Sequence, residues 1–152
     1  IGFRDVATLL QSGNVVFTAK GSDKAVAQKL ADALEKSHRF RPAIVVRTGA
    51  EIVDVIARNP FAAAAKAEPN RLLVSFLAGP PAKDAAERLA GIKVAKEKLR
   101  LVGNSLYVHY ADGGMGTSKV TNVVLERALG VAATARNWNT VTKLMAMLAA
   151  AG

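Results

Sequence analysis

The chain nearly repeats itself at a spacing of 90 residues, and this constrains its architecture more than any other feature. Gly13-Asn14-Val15-Val16-Phe17-Thr18 answers to Gly103-Asn104-Ser105-Leu106-Tyr107-Val108, each a turn pair feeding a strand-like run. A second correspondence, shifted to 89, sets Arg47-Thr48 with Ile52 and Ile56 against Arg136-Asn137 with Val141 and Met145. A long fixed period marks two related units. The first unit has no counterpart for the opening of the second, so an amino-terminally incomplete first half, short of a strand and a helix, is expected. A sheet without that strand exposes an edge, and a homo-oligomer formed through it is one expectation.

Local signals fill in the units. Val6–Gln11 and Val15–Lys20 read as a hairpin around Ser12-Gly13-Asn14. Ser22 caps a helix that carries Val26, Leu30, Ala33 and Leu34 on one face and ends near His38. Pro42–Arg47 reads as a strand, and Thr48-Gly49-Ala50-Glu51 as a capping box whose helix stops at Asn59-Pro60. After an alanine-rich connector, Leu72–Ala78 reads as a strand and Lys83–Ala90 as a helix. Glu97–Val102 and Leu106–Tyr110 form a second hairpin, and a helix capped by Thr117 or Ser118 ends at Gly130. A strand over Thr134–Arg136 and a helix bearing Val141, Leu144, Met145 and Leu148 close the chain. The second unit thus has the split βαβ order of a ferredoxin-like domain. The expected fold class is α+β, with tandem ferredoxin-like halves and antiparallel sheets. The halves span residues 1–58 and 71–152, joined by a connector over 59–70.

Composition narrows function without choosing it. In 152 residues there are 21 basic and 12 acidic side chains, a net charge of +9, which favours anionic partners such as nucleic acid. The densest basic cluster is Lys93, Lys96, Lys98 and Arg100, interrupted by Glu97; the other basic residues are dispersed, a pattern that plain solubility explains as well as a polyanion site does. The chain has no cysteine, which excludes disulfides and thiolate chemistry, and His38 and His109 stand without metal-ligand spacing. No metal or cofactor is expected, no apolar stretch reaches membrane-spanning length, and the cytoplasm is the default compartment.

The motifs Leu10-Gln11-Ser12-Gly13-Asn14-Val15-Val16-Phe17, Arg58-Asn59-Pro60-Phe61, Leu106–Tyr110, Ser118–Asn122 and Ala133–Val141 together resemble an uncharacterised bacterial family known only as a domain of unknown function. The resemblance covers essentially the whole chain. It implies a tandem ferredoxin-like α+β fold and brings no established activity, substrate or catalytic residue. Members of that family begin with a further strand and a glycine-containing loop that have no counterpart here.

Two segments carry the candidate chemistry. In the first, Gly114 and Gly116 let backbone N–H groups approach a ligand, a helix start leaves unpaired donors near Ser118 and Asn122, and Lys119 adds charge. The same residues also suit an ordinary loop and cap. A phosphate-binding P-loop starting at Gly113 would need glycine at Ser118 and Ser or Thr at Val120, and has neither. In the second, Arg136 and Asn139 flank Trp138 and could grip a phosphate. Equally, Asn137 could cap the last helix while Arg136 and Asn139 tie the strand end to its neighbours. Glu126, Asp112 and His109 are the groups eligible for proton transfer, with Glu126 on the exposed flank of its helix. Phe17 and Tyr107 read as packing between layers rather than as stacking platforms. Two functions stay open. One is a non-catalytic module binding a phosphate-bearing partner, nucleic acid included. The other is an enzyme acting on an anionic small molecule between the halves, held by Lys119 and Arg136.

Overall fold

Two hairpins of one design anchor the two halves. In the computed structural model, which describes residues 2–9, 13–39, 44–94, 96–111 and 118–151, β1 (Arg4–Leu9) pairs antiparallel with β2 (Asn14–Thr18). β4 (Lys98–Val102) pairs likewise with β5 (Ser105–His109). Gly13 and Gly103 take left-handed φ values of 79° and 57° ahead of β2 and β5, a conformation that side chains with a Cβ resist.

Side-chain caps then start the helices. The Ser22 hydroxyl accepts from the Ala25 N–H at 3.2 Å to open α1 (Asp23–His38). Thr48 does the same for Glu51 at 3.1 Å to open α2 (Gly49–Ala57), which ends ahead of Pro60. The connector holds structure of its own: α3 (Ala62–Ala67), whose alanines are strong helix formers, and a 3-10 turn over Pro69–Arg71, which opens on a proline. β3 (Leu72–Leu77), α4 (Ala85–Ala90), the β4–β5 hairpin, α5 (Asn122–Leu129), β6 (Ala133–Asn137) and α6 (Trp138–Ala151) follow.

The second half is a ferredoxin-like unit. Its four strands lie in the order β4-β5-β3-β6, all antiparallel, which is the split βαβ arrangement expected from the order of its elements. Both faces of this sheet are covered. Leu77, Leu106, Val108 and Tyr110 pack beneath α4 and α5. Leu72, Val74, Phe76 and Tyr107 pack beneath α2 and α6, so a helix of the first half closes the core of the second.

The first half departs from the expectation at one strand. Residues 42 and 43 lie outside the described residues, and residues 44–47 form no strand. In the second half the equivalent β6 is held by β3 alone, and among the described residues the first half has no counterpart of β3. A β-rich run without a ladder partner stays unpaired. Val45 instead packs against the core below α2 and α6. Phe17 stacks on Phe3 with centroids 4.5 Å apart, while Tyr107 is buried between sheet and helices as expected.

Two helix starts also differ. The helix expected from Lys83 begins at Ala85, and α5 is capped by Thr121 rather than by Thr117 or Ser118. Thr117 lies outside the described residues. The Ser118 hydroxyl is turned to Glu97 instead, and Thr121 sits one residue before the first helical N–H groups, where a cap must be. Gly130 ends α5 in a left-handed conformation with φ of 73°, as its position after the last apolar residue predicts.

Candidate functional site

The segment leading into α5 is held by carboxylates. Gly114 and Gly116 lie outside the described residues. Ser118 Oγ donates to Glu97 Oε1 at 2.6 Å and accepts from the Val120 N–H at 2.9 Å. Asn122 Nδ2 donates to Glu126 Oε1 at 3.0 Å, and Glu126 Oε2 accepts from the Ala133 N–H at 3.0 Å. Glu126 is therefore a half-buried tie between α5 and β6, not the exposed flank residue expected. Asn122 Oδ1 is buried without a hydrogen-bond partner among the described residues. Lys119 is exposed.

Arg136 and Asn139 lie apart from that segment. Arg136 sits opposite Val74 in the β3–β6 register and so shares the sheet face covered by α2 and α6, whereas α5 covers the other face. The sheet separates Lys119 from Arg136, and one small ligand does not reach both. Arg136 Nε donates to Asn14 Oδ1 at 2.6 Å and Nη1 to the Ala135 carbonyl at 2.8 Å. Burial lowers its pKa from the ordinary arginine value. Asn139 is exposed, and Asn137 Oδ1 accepts from the Thr140 N–H at 3.0 Å, the capping role equivalent to that of Thr48.

Arg47, which stands at the same place in the repeat, was missed as a tie between the halves. Its Nη2 donates to the carbonyls of Leu77 at 2.7 Å and Asn104 at 3.2 Å, and its guanidinium lies 5.7 Å over the Phe76 ring. Asn104 and Asn14 are themselves repeat equivalents. Each half thus sends the arginine before its last helix to the hairpin-turn asparagine of the other half, a reciprocal exchange that the paired offsets already encoded. Arg47 also lies 3.6 Å from Glu51, and desolvation lowers its pKa.

Two clefts flank α2 and α3. The first, about 310 Å³, lies between the halves and is lined by Arg47, Glu51, Asp54, Arg58, Asn104 and Tyr107. Its polar walls are engaged internally: Arg58 pairs with Asp54 at 3.3 Å, and the Tyr107 hydroxyl donates to the Val55 carbonyl at 2.6 Å. Burial pushes Tyr107 up to about 12, so it remains a neutral donor. The second cleft, about 350 Å³, is lined by Phe61, alanines of α3, Glu68, Lys98 and His109. There His109 Nε2 meets Glu68 Oε2 at 2.9 Å; a carboxylate only accepts, so Nε2 donates. Glu68 Oε1 is held by Arg71 at 3.2 Å, and Arg71 is anchored on the Ala111 carbonyl at 2.9 Å. The Phe61 and His109 rings are 6.2 Å apart and tilted by 36°.

Beside this cleft runs the basic edge of the sheet. β4 is an outer strand, Lys93, Lys96, Lys98 and Arg100 are exposed along it and its approach, and Lys98 and Arg100 lie on one face, opposite His109 and Tyr107 in register. The Ser118–Glu97 bond brings Lys119 to the start of the same strand.

Comparison with known proteins bears on fold and family. A search of curated proteins finds no match. Among solved structures, a conserved bacterial protein, SP0830 from Streptococcus pneumoniae, superposes with a TM-score of 0.74 at 18% identity, covering 97% of this chain and 82% of that chain. At that identity the likeness shows a common fold. The family described as protein of unknown function, DUF1697, matches residues 1–107, and the chain belongs to it.

Proposed function

We propose that the chain is a non-catalytic module that binds a phosphate-bearing polyanion, nucleic acid, along the basic edge strand β4. The observation that carries this reading is the alignment of exposed Lys98 and Arg100 on one face of an outer strand, with exposed Lys93 and Lys96 on its approach and exposed Lys119 next to Ser118, which bonds Glu97 there. Alternate residues on a strand stand about 7 Å apart, so the two cations form a short ladder of fixed pitch. Charged side chains on edge strands also prevent sheet-to-sheet pairing. The net charge of +9 adds a field that draws anions to this surface.

Titration with single-stranded RNA and duplex DNA at several salt concentrations tests the reading. Phosphate contacts make log affinity fall linearly with log salt, and replacing Lys98 and Arg100 together by Ala should reduce that slope by about 1.5. Absence of binding at low salt, or a slope unchanged in the double variant, overturns it.

A further inference from the structure

Resting on the polyanion reading, we infer that the cleft between α3 and β4 receives one unpaired base, which makes the preferred partner single-stranded nucleic acid. Position comes first: Lys98 belongs both to the basic edge and to the lining of this cleft, and it lies directly across from His109 in the β4–β5 register. A backbone phosphate held by Lys98 therefore places its own base at the cleft mouth. The interior suits a base in two ways. Phe61 and His109 supply aromatic rings with α3 alanines as apolar floor, the pairing of ring faces and small side chains on which unstacked bases lie. Glu68 supplies acceptor capacity for an exocyclic amine, since each carboxylate oxygen has two lone pairs and its side chain is 36% exposed.

The polar groups are also held in place before any ligand arrives. Arg71, anchored on the Ala111 carbonyl, fixes Glu68, and Glu68 fixes the His109 ring. At about 350 Å³ the cleft falls in the range of small-molecule sites. A duplex keeps its bases paired and stacked, so it can use the basic edge but not the cleft.

Fluorescence anisotropy with labelled oligouridylate and oligoadenylate, and with a DNA duplex of equal length, tests this when the affinities are compared at each of several salt concentrations. Both single strands should bind more tightly than the duplex. Phe61→Leu keeps an aliphatic group against the core and removes the ring face. It should weaken single-strand binding roughly tenfold, with the salt slope and duplex binding unchanged. His109→Gln, which keeps a donor for Glu68, should act in the same direction and serves if Phe61→Leu does not fold. Equal affinity for single strand and duplex, or no loss in the folded variants, overturns the base-binding cleft while leaving the polyanion surface standing. Absence of binding by every probe at low salt overturns both.

Discussion

The two halves carry the same hairpin and the same arginine-and-cap entry to a helix, yet among the described residues the second closes a four-stranded sheet and the first keeps a two-stranded one. The difference shows at equivalent positions. Leu106 is fully buried between strands and helices, and its counterpart Val16 is nearly so. One residue earlier the contrast reverses chemical sense: Ser105 is buried at 6% exposure, while its counterpart Val15 is 47% exposed. Sequence similarity sets the direction of each chain segment, and the number of layers around it decides what is buried. The core of the second half borrows α2 from the first, so the halves are not independent even where they look alike.

Packing density supplies the largest expected effect. Leu106→Ala should cost about 3 kcal/mol, and Val16→Ala about half of that, because it removes fewer carbons from a less enclosed site. Urea unfolding midpoints at constant slope measure both. Equal losses would mean that the first half is packed as tightly as the second, against the exposure of its hairpin.

The reciprocal arginines offer a sharper break in the comparison. Arg47 reaches the backbone carbonyl of Asn104, whereas Arg136 reaches the side chain of Asn14. A double-mutant cycle of Arg136→Ala with Asn14→Ala should show coupling of about 1.5 kcal/mol, as a charge-assisted hydrogen bond does. The cycle of Arg47→Ala with Asn104→Ala should show almost none, although Arg47→Ala alone should cost about 2 kcal/mol by leaving the Leu77 carbonyl without its donor, while the Asn104 carbonyl keeps the Leu77 N–H at 3.1 Å. Coupling of the same size in both cycles would mean that the Asn104 side chain, not its carbonyl, holds Arg47.

Helix caps come next in size. Thr48→Ala and Thr121→Ala should each cost about 1 kcal/mol, one in each half. Ser118→Ala should leave α5 intact by circular dichroism, since the Ser118 hydroxyl serves Glu97. A helix loss in Ser118→Ala would return the cap to the position that the sequence suggests.

How much could be read beforehand follows from which signals are local. Hairpin turns at Gly13 and Gly103, caps at Ser22 and Thr48, and the apolar faces of α2 and α6 are local patterns, and each appears where it was expected. The residues 44–47 were misread because strand propensity is local but a ladder needs a partner. The site was less legible for a related reason. Glycines, a lysine and a helix start look like an anion site in sequence, but Glu97, which arrives from the approach to β4, engages Ser118, and Glu126, one turn further along α5, engages Asn122. The pairing of Glu68 with His109 spans 41 positions in sequence and had no periodic signal to announce it. By contrast, the Arg47–Asn104 and Arg136–Asn14 exchange was encoded in two offsets that the sequence displayed and that only the tertiary arrangement connects.

The smallest effect belongs to an acid pair that one half has and the other lacks. Glu51, in the first turn of α2, has its pKa raised by desolvation and then by a hydrogen bond to and the charge of Asp23, in the first turn of α1. The equivalent of Glu51 in the second half is Thr140, which does not titrate. A carboxyl whose folded pKa lies above its unfolded value binds its proton more tightly when folded. Its stabilising contribution is fully present below the unfolded value, about 4.3, and is lost as pH rises through the folded value. Glu51→Gln removes the titration and keeps a hydrogen-bonding amide beside Thr48. The unfolding midpoint of the unmodified chain should therefore fall relative to Glu51→Gln between pH ~4 and pH ~7, by an amount kept small because Glu51 is 42% exposed. Thr140→Val should alter stability by the same amount at both pH values, since nothing there gains or loses a proton. A pH-independent difference for Glu51→Gln would mean that burial and the neighbouring Asp23 do not raise the Glu51 carboxyl, and that the first turn of α2 is electrostatically no different from that of α6.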